Sequence, residues 1–171
     1  FLLKDENDNL YDISANTIRF IRESLALIDN NFRNNKKNKE LFISIFYQKK
    51  GVIKSLRKMN DYGVLAAYLK PFGKIVGMMQ FDLFHIYTVD EHTLSVVSNT
   101  RFMSTNDCKD KYSFVYEIFK KLSSPEILYL GALFHDIGKG NKKDHSKVGA
   151  IESLKFCESH GMNKHQSEMV C

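Results

Sequence analysis

The stretch "ALFHDIGKGNKKDHS", residues 132–146, sets His135 beside Asp136 at the end of an apolar run. Beyond a glycine it then places Lys139, Lys142, Lys143, Asp144 and His145. A helix buried by Leu130, Leu133, Phe134 and Ile137 does not ordinarily carry an adjacent imidazole and carboxylate, because an unpaired polar group is costly to bury. These two side chains need partners. A divalent cation supplies one, taking imidazole nitrogen from His135 and carboxylate oxygen from Asp136. The alternative is a helix-end histidine bonded to a backbone carbonyl, beside an aspartate paired with Lys139.

Two more imidazoles extend the constellation. His145 lies ten residues after His135, beyond a glycine-broken loop, and His92 lies 43 residues before it on a separate element. His92, His135, Asp136 and His145, coming from three elements, can converge as ligands of one metal site, which spacing alone does not prove. Asp136 and Lys139 are the expected catalytic pair, Asp136 as shared ligand or proton acceptor and Lys139 as charge partner for a phosphate. Lys142 and Lys143 suit an anionic phosphate ester and are read as substrate-binding. His85 is read as a substrate-side or structural residue. His160 beside Gly161 reads as a helix-end residue facing the dipole, and His165 as a surface residue. Asp90 and Glu91 sit where carboxylates favour a helix N-terminus.

Helices must carry these residues. Only two prolines and apolar spacings of three and four make the chain read as all-α. Ser14 caps a first helix with the stripe Ile18, Ile21, Leu25 and Ile28, after which "DNNFRNNKKNK" interrupts the pattern. Leu41, Phe42, Ile45 and Phe46 mark a second helix, and Ile53, Leu56 and Met59 a third that "NDYG" ends. Pro71, Gly73 and Gly77 break up the next stretch. Thr88 and Glu91 then have the spacing of a reciprocal capping box, which puts His92 in the first turn of the following helix. "STNDCKD" reads as a loop. Phe114, Val115, Ile118 and Phe119 form another amphipathic helix, and Ser124 with Pro125 opens the helix that runs into "HDIG". Asp144 or Ser146 caps one more helix closed by Gly161, and Asn163 with Gln166 starts the last.

Composition narrows the class. A 171-residue chain with 43% hydrophobic residues can bury a full core. No apolar run is long enough to cross a bilayer, and no signal segment is present, so no membrane partner and a cytoplasmic location are expected. Cys108, Cys157 and Cys171 have neither an even count nor metal-site spacing. The net charge of +5 arises wholly in residues 1–60, with 12 Lys/Arg against 7 Asp/Glu. No aromatic-basic interleaving accompanies it, so no nucleic-acid partner is expected. Starting on Phe1 and stopping on Cys171 inside a helical pattern, the chain reads as a piece of a longer protein.

His92, then "HDIGK", then His145 followed by Gly149 and Ala150, resembles the HD superfamily of metal-dependent phosphohydrolases. "NDYGVLAAYLKPFGKIVGMMQFDLFHIYTVDEHTL" with "ALFHDIGKGNKKDHSKVGA" resembles, more narrowly, the bifunctional uridylyltransferase/uridylyl-removing enzymes that modify the PII nitrogen-signalling protein. "TIRFIRESLALIDNNFRNN" is similar to their helical linker. The resemblance implies an HD-domain helical bundle over residues 71–171, truncated at its C-terminal end, preceded by a helical linker or scaffold segment over 1–70. It implies a divalent metal ion (Mn, Mg or Fe) and hydrolysis of the UMP–tyrosine bond on uridylylated PII. Glutamine would act as effector through domains outside this chain, as would the transferase activity. Where the family loop usually carries an arginine and two glycines before "DHS", this chain has Asn141, Lys142 and Lys143. A non-catalytic HD regulatory module and an HD hydrolase of free nucleotides are the competing readings.

Overall fold

The computed structural model describes residues 13–79, 87–141 and 144–171. Among them the fold is all-α, with no strand and one isolated antiparallel bridge between Met79 and Thr88. The upstream part holds α1 (Ala15–Glu23), a 3₁₀ turn (Leu25–Leu27), α2 (Asn30–Asn34), α3 (Lys36–Ser44), α4 (Val52–Asp61), α5 (Val64–Tyr68) and α6 (Lys70–Gly73). The downstream part holds α7 (Val89–Phe102), α8 (Asn106–Lys111), α9 (Ser113–Lys120) and α10 (Pro125–Phe134). A second 3₁₀ turn (Ile137–Gly140), α11 (His145–Ser159) and α12 (Lys164–Val170) follow. No helix among the described residues is long and apolar enough to cross a membrane.

Helix α10 is the axis of the site. Ile127, Tyr129, Leu130, Ala132, Leu133 and Phe134 are all buried, so the helix is apolar nearly all round and must be enclosed by neighbours. Helices α7, α11 and α12 pack against it. Each buried Leu or Phe contributes about 1.5–3 kcal/mol relative to exposure, which fixes where the C-terminal end of α10 emerges. The upstream helices join the same core: the Phe42 ring on α3 stacks on Tyr68 of α5 at 4.6 Å and meets Phe156 of α11 edge-on at 5.6 Å.

Local capping explains most boundaries. Ser14, Asp29, Asn35, Thr105 and Asp144 accept hydrogen bonds from the backbone N–H three residues on, and Asn163 with Gln166 forms a reciprocal capping box. Three of these caps correct the sequence reading. Asp29 and Asn35 start α2 and α3 inside the stretch expected to interrupt the pattern, and Thr105 starts α8 where a loop was expected. Thr88 is the N-cap of α7, but the expected box does not close, and its side chain caps no backbone N–H. Glu91 turns instead to Arg57, with Arg57 Nη1 2.8 Å from Glu91 Oε2. Ser124 likewise precedes α10 without a side-chain cap, and Pro125 alone marks the start.

Candidate metal centre

Three side chains from two helices converge. His92 occupies the first turn of α7, His135 is the residue on which α10 ends, and Asp136 leads into the 3₁₀ turn. Each offers one ligand atom, and those atoms lie within 4.8 Å of one another. Asp136 Oδ2 is the hub: it stands 3.2 Å from His135 Nε2, 3.8 Å from His92 Nε2 and 2.9 Å from Lys139 Nζ. The two imidazole rings are 5.4 Å apart between centroids. The Asp136 side chain is only 12% exposed, whereas both histidines keep about a third of their surface open. The centre is a partly open recess with an ionised floor.

Hydrogen bonds orient the donors. His135 Nδ1 donates to the Ala132 carbonyl at 2.8 Å, which turns Nε2 toward Asp136. A bond of this kind, on the nitrogen away from the cation, is what fixes the ring of a metal-ligating histidine. The hydrogen bond with Asp136 pushes the His135 pKa up against the opposing effect of burial, so a proton can sit on Nε2 and face the carboxylate. Burial pushes the Asp136 carboxyl up, but the hydrogen bonds and charges of His135 and Lys139 outweigh it and hold the group well below the usual carboxylate range. Both contacts of the metal-free alternative, His135 on a carbonyl and Asp136 on Lys139, are thus present. His92 approaches the same carboxylate oxygen from another helix, at 3.8 Å. Two imidazole nitrogens and a carboxylate are a donor set suited to a divalent transition-metal cation, and the residues fit one.

Of the other sequence candidates, Lys139 reaches Asp136 and His145 stands outside the group of three. His145 opens α11 with its side chain exposed, outside the group of three; its backbone carbonyl, rather than its ring, packs on Gly138. An alanine Cβ at Gly138 would stand 1.8 Å from that carbonyl oxygen, so glycine is what lets α11 close on the 3₁₀ turn. His85, Lys142 and Lys143 lie outside the described residues. His165 is exposed on α12. His160 is the C-cap of α11, a helix-end residue as expected, but its ring is buried rather than a charged group facing the dipole. Its ring stacks 3.8 Å from Phe156, Nδ1 donates to the Phe156 carbonyl, and Nε2 accepts from the Tyr68 hydroxyl at 2.9 Å. Burial pushes its pKa down to about 4, leaving it neutral.

Sequence reasoning missed Asp90. It is 4% exposed, and it accepts hydrogen bonds from Asn60 Nδ2 and from the Gly77 backbone N–H, both at 3.0 Å. Burial pushes its carboxyl up, but these bonds and one with Thr88 lower it below the ordinary value. The helix-dipole signal concealed a structural clamp.

Residues 1–68 match the family described as "Uridylyltransferase GlnD third domain", and residues 89–171 match the HD domain. HD domains bind divalent metals, and the three converging donors lie within that match. Among similar proteins are the bifunctional uridylyltransferase/uridylyl-removing enzymes of Nitrosococcus oceani, 48% identical, and Methylococcus capsulatus, 46% identical. That of Pseudomonas putida strain W619 is 42% identical. Each similarity runs over 99% of this chain and 19% of the relative, so the chain spans about a fifth of their length. The chain thus carries, in order, a region matching the third domain of uridylyltransferase GlnD and a region matching the HD domain, and it is similar over nearly its whole length to bifunctional uridylyltransferase/uridylyl-removing enzymes.

Proposed function

We propose that this region is a metal-dependent phosphodiesterase that removes UMP from a tyrosine of the uridylylated PII signal protein. Residues 1–70 serve as helical scaffold and 71–171 as the phosphohydrolase domain. The observation that carries the reading is the meeting of His92, His135 and Asp136 around one carboxylate oxygen. A divalent cation held there supplies Lewis-acid charge to the phosphoryl oxygens and acidifies water. His135, fixed through Nδ1 on Ala132, keeps Nε2 directed at the centre. Asp136 stays ionised at neutral pH, with Oδ2 facing both imidazoles and the Lys139 ammonium. The Lys139 ammonium, 2.9 Å from that atom, places positive charge where an anionic ester enters. The tyrosyl phenol, with a pKa of about 10, departs without a strong proton donor.

Imidazole-rich donors favour Mn or Fe, and further oxygen ligands would admit Mg. His145 is the fourth ligand of the proposed set. Lys142, Lys143 and His85 belong to the substrate side. Glutamine acts as effector through other domains, and the protein works in the cytoplasm.

One experiment tests the reading: uridylyl removal by the full-length protein, with and without chelator, for the parent and for Asp136→Asn. The substitution keeps size and removes the negative charge. Metal occupancy should fall and removal should drop by about 100-fold or more, as for a metal ligand. Uridylyl transfer should persist. Removal at the parental rate with metal retained would refute the hydrolase assignment and favour the metal-free pairing of His135 and Asp136 as a scaffold element.

A further inference from the structure

Helix α4 has two working faces. Val52, Leu56 and Met59 are buried in the core, so the helix is anchored among the upstream elements. From its polar side Arg57 and Asn60, one helical turn apart, reach the first turn of α7. Arg57 Nη1 donates to Glu91 Oε2 at 2.8 Å, and Asn60 Nδ2 donates to Asp90 Oδ2 at 3.0 Å. Glu91 and Asp90 are the two residues immediately before His92. The same turn is tied on its other side: Asp90 Oδ1 accepts from the Gly77 N–H at 3.0 Å, and the Val89 N–H donates to the Met78 carbonyl at 2.9 Å. The Asn60 amide is committed to Asp90 even though its own Oδ1 is buried with no hydrogen-bond partner among the described residues. A buried acceptor left this way calls for an explanation outside its own satisfaction.

We propose that α4 positions His92, through Arg57 on Glu91 and Asn60 on Asp90, so that the upstream helices set the geometry of the metal centre. Arg57 and Asn60 lie in the stretch matched to the third domain and His92 in the HD domain, so these two contacts join the two matched regions at the ligand itself. Asp90 is a positioning residue. It acts on the centre by fixing the backbone from which His92 projects, and a shift of α4 would be passed to His92 directly. The proposal rests on the metal reading above.

The test is Mn²⁺ affinity in the full-length protein, measured by titration with detection of free Mn²⁺ by electron paramagnetic resonance. Asn60→Asp sets a second carboxylate against Asp90 Oδ2 and should weaken Mn²⁺ binding by about tenfold or more in the folded protein, as loss of a supporting hydrogen bond does. The exchange Asn60→Asp with Asp90→Asn restores a carboxylate–amide pair in reverse and leaves Gly77 an acceptor. Affinity should return to within about threefold of the parent, the sign of a coupled pair. A purely structural role predicts a lower melting temperature with parental Mn²⁺ affinity, and that result, or failure of the exchange to rescue, overturns the proposal. Should Asn60→Asp not fold, Arg57→Ala, at a half-exposed pair, carries the test: parental affinity overturns the proposal and weakened affinity supports it. A parent protein that binds no Mn²⁺ would instead count against the metal reading itself.

Discussion

Gly138→Ala tests whether α11 rests closely on the 3₁₀ turn that follows Asp136. Gly138 lies between Asp136 and the start of that helix, and it does not adopt a left-handed backbone, so the effect of an added methyl is steric. The new Cβ would lie 1.8 Å from the His145 carbonyl oxygen, 2.7 Å from the His145 carbonyl carbon and 2.9 Å from the Gly149 nitrogen. All three are backbone atoms, so no side-chain rotation relieves them. The 3₁₀ turn and α11 must separate by more than about 1 Å to reach ordinary contact, which strips packing from Ile137 and Phe156. Overpacking against backbone costs about 3 kcal/mol, the upper part of its usual range. For a chain of this size that lowers Tm by about 6–12 °C. Gly149→Ala is the control, since its Cβ meets nothing nearer than 3.7 Å and alanine raises helix propensity by up to about 1 kcal/mol. Calorimetric melting of both variants measures the contrast. If Gly138→Ala melts within about 2 °C of the parent, α11 does not rest on the turn as described and the steric reasoning fails.

Two further expectations concern charge. His160 is neutral when folded, with its pKa pushed down to about 4 by burial, and returns to about 6.5 when unfolded. Between those values the unfolded chain binds the extra proton, so this contribution to stability is complete above the unfolded value and is lost as pH falls toward 4. After allowance for its partial exposure the loss is about 2 kcal/mol, and His160→Gln should flatten that part of a urea-denaturation pH profile. An unchanged profile would show that burial does not hold the ring neutral. Lys142→Ala with Lys143→Ala should raise KM for uridylylated PII more than it lowers kcat, as loss of uniform binding does; an unchanged KM returns both lysines to surface charge.

Local signals were legible in the sequence and long-range competition was not. Ser14, Asp144 and the Asn163–Gln166 box rest on partners three residues away, and their helices start where the chain's own chemistry puts them. The Thr88–Glu91 spacing carries the same signal, yet Glu91 is drawn away by Arg57, 34 residues distant. The "STNDCKD" stretch looked polar enough for a loop because α8 is short and buries little besides Cys108. Of the site, the adjacency of His135 and Asp136 on an apolar helix was the clearest sign, since no apolar core accommodates them unpaired. That His92 reaches Asp136 while the His145 ring stays exposed depends on how α7 and α11 pack on α10, which spacing does not encode. The burial of His160 at its helix end was hidden for the same reason: its aromatic surroundings come from α3, α5 and α11, and only the last is near it in the chain.

The 43-residue separation between His92 and His135 also bears on how the chain folds. Between them the polypeptide runs through α8 and α9 before it enters α10, so the two imidazoles meet only after a long loop has closed. Loop-closure entropy for that length is about 3–4 kcal/mol. A cation shared by both ends would act as a reversible cross-link, comparable to a disulfide but set by ion concentration, and would favour the folded state by mass action. Folding of this region and filling of its centre would then be one linked equilibrium, with the α8–α9 excursion as the segment whose freedom is given up.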